Sequence, residues 1–387
     1  MRARDPRLGA AAVVVGSVAL AIVLRALLLH GSNEDMDVFR SWLAFLQQNG
    51  ASELLQEEFR TNYTPLYLYG LIVGNAVFPH HADELIIKWA PMGFDAVSAI
   101  FAYRITRLRH PTGIRPALAF ATVVLAPTVV LNSSYWGQID SIWTAGLLAC
   151  VYFVLVRREL AAFVAYGLAL AIKAQAVFLL PALALLALRQ RVRWRSFLVP
   201  PVVYLVAAAP AVVAGRSLGD VVGLYADQAG YFGELTLRAP NPYEWVPERF
   251  SGQLSNPATV IALVVLGVSV AAAARLIVDL TDEVILVSCA ISLVLVPFVL
   301  PHMHERYFYG ADVFSIVLAF WAVRWAIVAV LVQTVSLLSY APFLWGREPV
   351  PLPLLAIAET AALGTLLVLA ARLVRQQRTA VLVTSHP

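Results

Sequence analysis

The sequence predicts an all-α polytopic membrane protein with about twelve transmembrane helices, and three observations carry that expectation. Of its 387 residues, 60% are hydrophobic and 13% charged, whereas a soluble domain has about 45–50% apolar and roughly 25% charged residues. Mean hydropathy is +0.76. The apolar residues gather in runs, many of them near the roughly 20 residues that a helix needs to cross a bilayer. The basic residues, 26 Arg and two Lys, stand mostly at the ends of those runs, where they set orientation and form no nucleic-acid footprint. Collagen, disorder and a disulfide scaffold are excluded by the same figures. Cys150 and Cys289 both lie inside apolar runs, so no disulfide is expected.

Residues 8–29 follow Arg2, Arg4 and Arg7 and lack a small-residue cleavage site, so the first run reads as a retained helix and not as a signal peptide. Further runs lie at 85–105, 114–131, 139–156, 160–188, 197–214, 258–278, 284–300, 307–323, 326–343 and 352–371. The short run 66–78 is ambiguous, and the basic residues decide it, because short loops rich in Arg and Lys stay cytoplasmic. The clusters Arg104/Arg107/Arg109/Arg115, Arg157/Arg158, Arg189/Arg191/Arg193/Arg195 and Arg372/Arg375/Arg378 share a side with the N-terminus on one threading. In it, 66–78 does not cross and 160–188 crosses twice. That threading places 18 basic residues inside against 10 elsewhere, and leaves 19 of 24 acidic residues in outer loops or in the membrane.

Both termini are then cytoplasmic and residues 1–387 form one unit. Residues 30–84 make a first outer loop with an interfacial helix, marked by Val38, Trp42, Phe45 and Leu46. Residues 215–256 make a second, with Tyr225, Tyr231, Phe232, Tyr243 and Trp245 among Pro and Gly. Each leg of 160–188 has about 14 residues, short of a bilayer of about 30 Å at about 1.5 Å per residue. The tip near Lys173 should therefore sit below the outer surface, in a cavity. There is no internal repeat and no low-complexity tract.

Five polar segments face the outer side on this threading: 34–37 (Glu-Asp-Met-Asp), 62–65 (Asn-Tyr-Thr-Pro), 132–140 (NSSYWGQID), 173–175 (Lys-Ala-Gln) and 302–307 (HMHERY). Charges inside apolar segments are expensive and usually line a cavity, which makes Asp95, Asp140 and Lys173 candidates for one polar chamber. Asp35 and Asp37 can take a proton from a hydroxyl, or can cap a helix and meet its dipole. Lys173 has little beside it to pair with, so it needs an anion, either Asp140 or Asp95 or a ligand phosphate. Lys88 reads as a snorkelling lysine.

His302, His304, Glu305 and Arg306 offer cations suited to a phosphate, or form only an interfacial helix start. As a zinc site they lack the usual spacing and a third ligand. In 132–140, Tyr135 and Trp136 suit the interface, while Asn132, Ser133, Ser134, Gln138 and Asp140 supply polar groups; the glycosylation triplet there is a common chance match. Tyr63, Tyr67 and Tyr69 line a cavity or form an aromatic belt.

In this order, the acidic pair after the first helix, Asn62-Tyr-Thr-Pro-Leu-Tyr, NSSYWGQIDS, Lys173-Ala-Gln-Ala and HMHERYF resemble the type C (GT-C) glycosyltransferases. The likeness is greatest to bacterial mannosyltransferases related to the second mannosyltransferase of GPI-anchor synthesis, and more distant to the ALG glucosyltransferases. It covers roughly residues 35–308 and says little of the tail after 320. It implies a GT-C-like fold and a polyprenyl-phosphate sugar donor, with mannose as the sugar. The acceptor would be a hydroxyl on a glycolipid, a polysaccharide or a protein. The setting would be the bacterial cytoplasmic membrane among its lipids, with the active face periplasmic or extracellular and no nucleic acid involved.

By position, the resemblance makes Asp35 the base and Asp37 its neighbour, and gives the donor phosphate to His302, His304, Arg306 and Lys173. The substrate cavity would be lined by Tyr63, Tyr135, Trp136, Gln138, Asp140, Gln175 and Glu305. Two departures stand out: Asn62-Tyr-Thr-Pro where Tyr-Pro-Pro is usual, and Lys173-Ala-Gln where Lys-Pro-Gln is usual. Thr64 and Ala174 are expected to loosen those turns.

The chemistry agrees. A sugar phosphate leaves as an anion, so the site needs cations at the phosphate and a base across C1. Direct displacement with one base inverts the anomeric centre, whereas retention calls for a carboxylate nucleophile plus an acid/base. No cofactor is expected. No metal is expected either, since carboxylates are few and Lys173 and Arg306 can neutralise the phosphate. The competing class, a transporter or lipid-linked sugar flippase, would also carry intramembrane Asp and Lys beside a broken hairpin, but it predicts inverted repeats. None is visible.

Overall fold

The structure is a computed structural model that describes residues 6–56, 61, 63–229 and 233–384. Expectations resting on Arg2, Arg4, Asp5, Asn62, Tyr231 and Phe232 lie outside the described residues. The described chain is almost wholly helical. The first stretch holds α1 (Pro6–Leu28), α2 (Glu34–Asn49), α3 (Ala51–Gln56), α4 (Pro65–Val77), α5 (Asp83–Arg109), α6 (Arg115–Leu125) and α7 (Pro127–Val130). A π-helical turn (Leu131–Trp136) leads to α8 (Asp140–Leu155), α9 (Glu159–Ile172), α10 (Leu180–Leu188), α11 (Val199–Val213) and α12 (Leu218–Ala229). The rest comprises β1 (Thr236–Leu237), α13 (Ser251–Leu276), α14 (Asp282–Val299), β2 (Met303–His304), α15 (Tyr309–Trp321), α16 (Ala326–Trp345) and α17 (Leu352–Thr384).

Among the described residues, seven helices are long and apolar enough to cross a membrane, and an eighth arises if α6 and Pro127–Trp136, bent by 44°, count as one span. Pro127 explains the bend, since it has no N–H to continue the helix of α6. The remaining apolar helices, α4, α8, α9 and Ala174–Leu188, have 10–17 residues. The polytopic all-α class stands, and the sequence count of about twelve includes the shorter α8, α9 and Ala174–Leu188 but not α4. At 13 residues, α4 spans only about 20 Å, too little to cross.

Contacts divide the chain into two compact units. Unit 1 takes Met1–Phe153, Arg158–Ala176 and Arg195–Phe232, and unit 2 takes Val154–Arg157, Val177–Trp194 and Gly233–Pro387. The stretch 215–256 is thus shared out, its start with α12 in unit 1 and its remainder in unit 2. In unit 1, α6 packs on α1 and α5, and α9 packs on α11. The last crossing is close because Gly167 has no side chain: a Cβ there would lie 2.8 Å from that of Val203.

In unit 2, α14 to α17 pack in succession and α10 lies on α13 and α14. Several arginines of the predicted cytoplasmic clusters close helix ends there. Arg189 donates to the carbonyls of Ala274 (3.1 Å) and Val278 (2.9 Å), and Arg378 to that of Leu276 (2.8 Å). Carbonyls in the last turn of a helix have no partner within it, and a guanidinium supplies one.

Candidate functional site

In unit 1 the candidate base is fixed by a neighbouring segment. Asn33, not either aspartate, is the N-cap of α2: its side chain accepts the Met36 N–H at 3.2 Å. That leaves the half-buried Asp35 to turn elsewhere. Its Oδ2 accepts the Trp136 indole N–H at 2.8 Å and the Gln138 amide N–H at 2.7 Å. Asp37 points away, with a side chain 74% exposed and paired at 2.9 Å with Arg40, which also reaches Glu84 at 2.6 Å.

The π-helical turn carries the other polar contacts. Asp140, fully buried, accepts from Lys173 Nζ at 2.7 Å, from the Trp143 indole at 2.9 Å and from Asn132 at 3.1 Å. Lys173 thereby has the carboxylate partner that its sequence context left open. Asp95 pairs separately with Arg25 of α1 at 2.6 Å and accepts from Ser133 at 2.6 Å. Each buried acid of the expected polar chamber therefore has its own cation, while adjacent residues of one turn, Asn132 and Ser133, bind them both. A buried ion is tolerated only when its charge and its hydrogen bonds are both met.

The helix breaks where the sequence expected it, at Lys173, which is extended (φ −155°, ψ 139°) after α9 ends at Ile172. Thr64 is buried and its hydroxyl donates to the Ile172 carbonyl at 3.2 Å, tying the start of α4 to the break. Tyr63 joins Phe39, Trp42 and Tyr67 in an aromatic cluster, 4.8 Å from Tyr67 between ring centroids. Tyr135 packs its ring on Gly31. Gln175 is half-buried, and its amide oxygen, like that of buried Gln138, has no hydrogen-bond partner among the described residues. Lys88 is a correction. It does not snorkel but is fully buried, with three backbone carbonyls around its ammonium.

An apolar cavity of about 450 Å³ also opens in unit 1, bounded by α4, α5, α8 and α9 and lined by residues such as Tyr69, Phe94, Ala145 and Leu168.

In unit 2 the His302 to Arg306 segment is positioned largely by its backbone. β2 pairs in parallel with β1, Thr236 with Met303 and Leu237 with His304. His302 takes the left-handed conformation (φ 63°), uncommon for a residue with a side chain. Its N–H donates to Leu235 O at 2.8 Å, its Nδ1 lies 2.5 Å from Glu234 O, and its Nε2 lies 2.7 Å from Ser255 Oγ. A carbonyl can only accept, so Nδ1 carries a proton.

His304 stands at the N-cap of the turn Glu305–Phe308 without a side-chain cap bond, 5.1 Å from the Tyr307 ring. Buried Arg306 donates to buried Glu305 at 3.3 Å. Nearby, Glu244 accepts from Thr236 at 2.9 Å, and burial pushes its carboxyl above the usual range against that bond. Neither the β1–β2 pair nor Ser255 was legible in the sequence. Among the described residues no three of His, Cys, Asp and Glu come together as a metal site.

In fold, the chain is similar to ArnT. The crystal structure of ArnT from Cupriavidus metallidurans bound to undecaprenyl phosphate matches 95% of this chain and 78% of ArnT, with a TM-score of 0.56 and 15% identity. The likeness to ArnT shows the architecture, an all-helical polytopic fold of the GT-C kind that the sequence resemblance implied. No protein-family model and no curated protein sequence matches the chain.

Proposed function

We propose that the protein is a membrane glycosyltransferase that moves a sugar, mannose on the sequence resemblance, from a polyprenyl-phosphate donor to a hydroxyl acceptor with inversion. The observation that carries this reading is the Asp35 carboxylate, half-buried and fixed in direction by the Trp136 and Gln138 N–H groups. A base of that kind takes the acceptor proton as its oxygen attacks C1. The bound undecaprenyl phosphate of ArnT favours a polyprenyl phosphate as the leaving group.

Arg306 and His304 bind the departing phosphate in this reading. His302 holds them in place, since both of its ring nitrogens have partners in unit 2. Lys173, already donating to Asp140, contributes less. The Gln138 amide oxygen, buried with no partner among the described residues, suits a sugar or acceptor hydroxyl. The reaction needs no divalent metal, and it takes place at the periplasmic face of a bacterial cytoplasmic membrane, on a glycolipid, polysaccharide or protein hydroxyl.

The test is incubation of the purified protein in lipid nanodiscs with radiolabelled polyprenyl phosphomannose and host membranes. Label leaving the donor for a new product supports the reading. Label that stays on an intact donor, or a donor moved across a vesicle bilayer unchanged, removes it.

A further inference from the structure

Lys88 stands in the second turn of α5 and is fully buried. Its Nζ donates to the carbonyls of Leu29 (2.8 Å), Gly31 (2.8 Å) and Tyr135 (3.0 Å). An ammonium has three protons to place, and these carbonyls receive them all. The acceptors come from two separate segments, the short connection from α1 to α2 and the π-helical turn. Each leads within a few residues to one half of the Asp35 arrangement. The connection reaches Asn33, which caps α2 and also donates to Trp136 O at 3.3 Å, and then Asp35. The turn reaches Trp136 and Gln138, which both donate to Asp35.

Packing closes the same junction. A Cβ on Gly31 would enter the Tyr135 ring. At Gly137, whose φ of +80° already favours glycine, a Cβ would strike the Met36 sulfur and lie 3.3 Å from Lys88 Cε.

We propose that Lys88 is a positioning residue for sugar transfer: its ammonium clamps the segment bearing Asp35 to the segment bearing Trp136 and Gln138, and so sets where the base points. This rests on the reading of Asp35 as the base. Lys88 acts through backbone carbonyls and touches no reacting atom. Arginine cannot replace it, because a planar fork does not fit three carbonyls converging on one point. Methionine keeps the length and removes the charge.

The experiment uses the full chain in nanodiscs and compares Lys88→Met, Gln138→Ala, the double variant, Asp35→Asn and Gly137→Ala. It reads kcat and KM for the donor. It also reads the Trp136 indole N–H resonance, assigned with Trp136→Phe, which needs no substrate. Misplacing a base by about 1 Å costs about 10²-fold, so Lys88→Met should lower kcat by that order and leave KM for the donor nearly unchanged.

Because both changes act through one junction, the double variant should be within about twofold of the slower single variant. The Trp136 resonance should move toward its position in Asp35→Asn. Independent, multiplying losses together with an unmoved Trp136 resonance would overturn the proposal and leave Lys88 a purely structural cation. Near-normal turnover of Asp35→Asn would remove the base reading and with it the role in transfer, while the resonance would still show whether Lys88 sets the Asp35 contact. If Lys88→Met does not fold, Gly137→Ala, which keeps the ammonium but disturbs the same junction, should lower kcat and shift the resonance. No change in either would overturn the proposal.

Discussion

Asp35 in unit 1 and His302 in unit 2 are held by different means. Asp35 is fixed by side-chain N–H groups from Trp136 and Gln138, and the two buried acids of unit 1 by side-chain cations as well: Asp140 with Lys173, Asp95 with Arg25. Buried Lys88, by contrast, is held by main-chain carbonyls. The His302 to Arg306 segment is fixed by main-chain pairing with residues 235–238 and by carbonyl contacts. Inside a membrane protein a buried charge demands a specific partner, and chain segments outside the helices must pair their backbone groups. Substitutions in the first region should therefore act through charge, and those in the second through the reach of a single side chain.

The largest effect is expected where a buried charge would lose its partner. Asp95→Ala takes the carboxylate from the buried Arg25 charge and leaves it the Ala21 and Val124 carbonyls, and removing one member of a buried pair costs about 3–5 kcal/mol. Equilibrium unfolding in detergent should show a loss of that order, with part of it regained when Arg25→Met is added. A loss under about 1 kcal/mol, the scale of an exposed pair, would mean that the junction is wet and the contrast between the regions false.

Next comes Arg306→Ala, read as affinity for a non-hydrolysable polyprenyl phosphonate sugar. Hydrogen bonds to charged groups contribute about 1.5–3 kcal/mol, so affinity should fall roughly tenfold or more. Arg306→Lys should recover only part of it, lacking the fork. Unchanged affinity would leave Arg306 as the partner of Glu305 alone. Asp37→Asn should change turnover about fivefold at most, because it removes an exposed pair with Arg40. EDTA should change nothing; lost activity restored by magnesium or manganese would recast Asp35 and Asp37 as ligands.

What was legible in the sequence follows the same division. The break at Lys173 showed because one lysine interrupts a long apolar run, and its need for an anion follows from burial. The NSSYWGQID segment showed because its polar residues stand between two apolar runs. Lys88 was misread because a lysine near a helix end ordinarily reaches for water, and its partners here are carbonyls at residues 29, 31 and 135, which no side chain advertises. Asp35 and Asp37 looked like one acidic pair until Asn33 took the cap and separated a fixed carboxylate from a solvated one. The pairing of Thr236 and Leu237 with Met303 and His304 involves two residues a side, too few for an alternating pattern. Hydropathy does not show where a helix stops short of spanning, so the short α8, α9 and Ala174–Leu188 entered the count of about twelve beside the seven longer helices found among the described residues.

The most direct test of the central claim is the rate of label transfer from radiolabelled polyprenyl phosphomannose by wild type and Asp35→Asn in the same nanodiscs. The substitution keeps the shape of the side chain and its contacts with Trp136 and Gln138 within reach, and removes the group that takes the proton. Loss of a general base typically costs about 10²-fold or more, so transfer should fall at least that far while donor affinity holds. Near-normal transfer by Asp35→Asn would contradict the account.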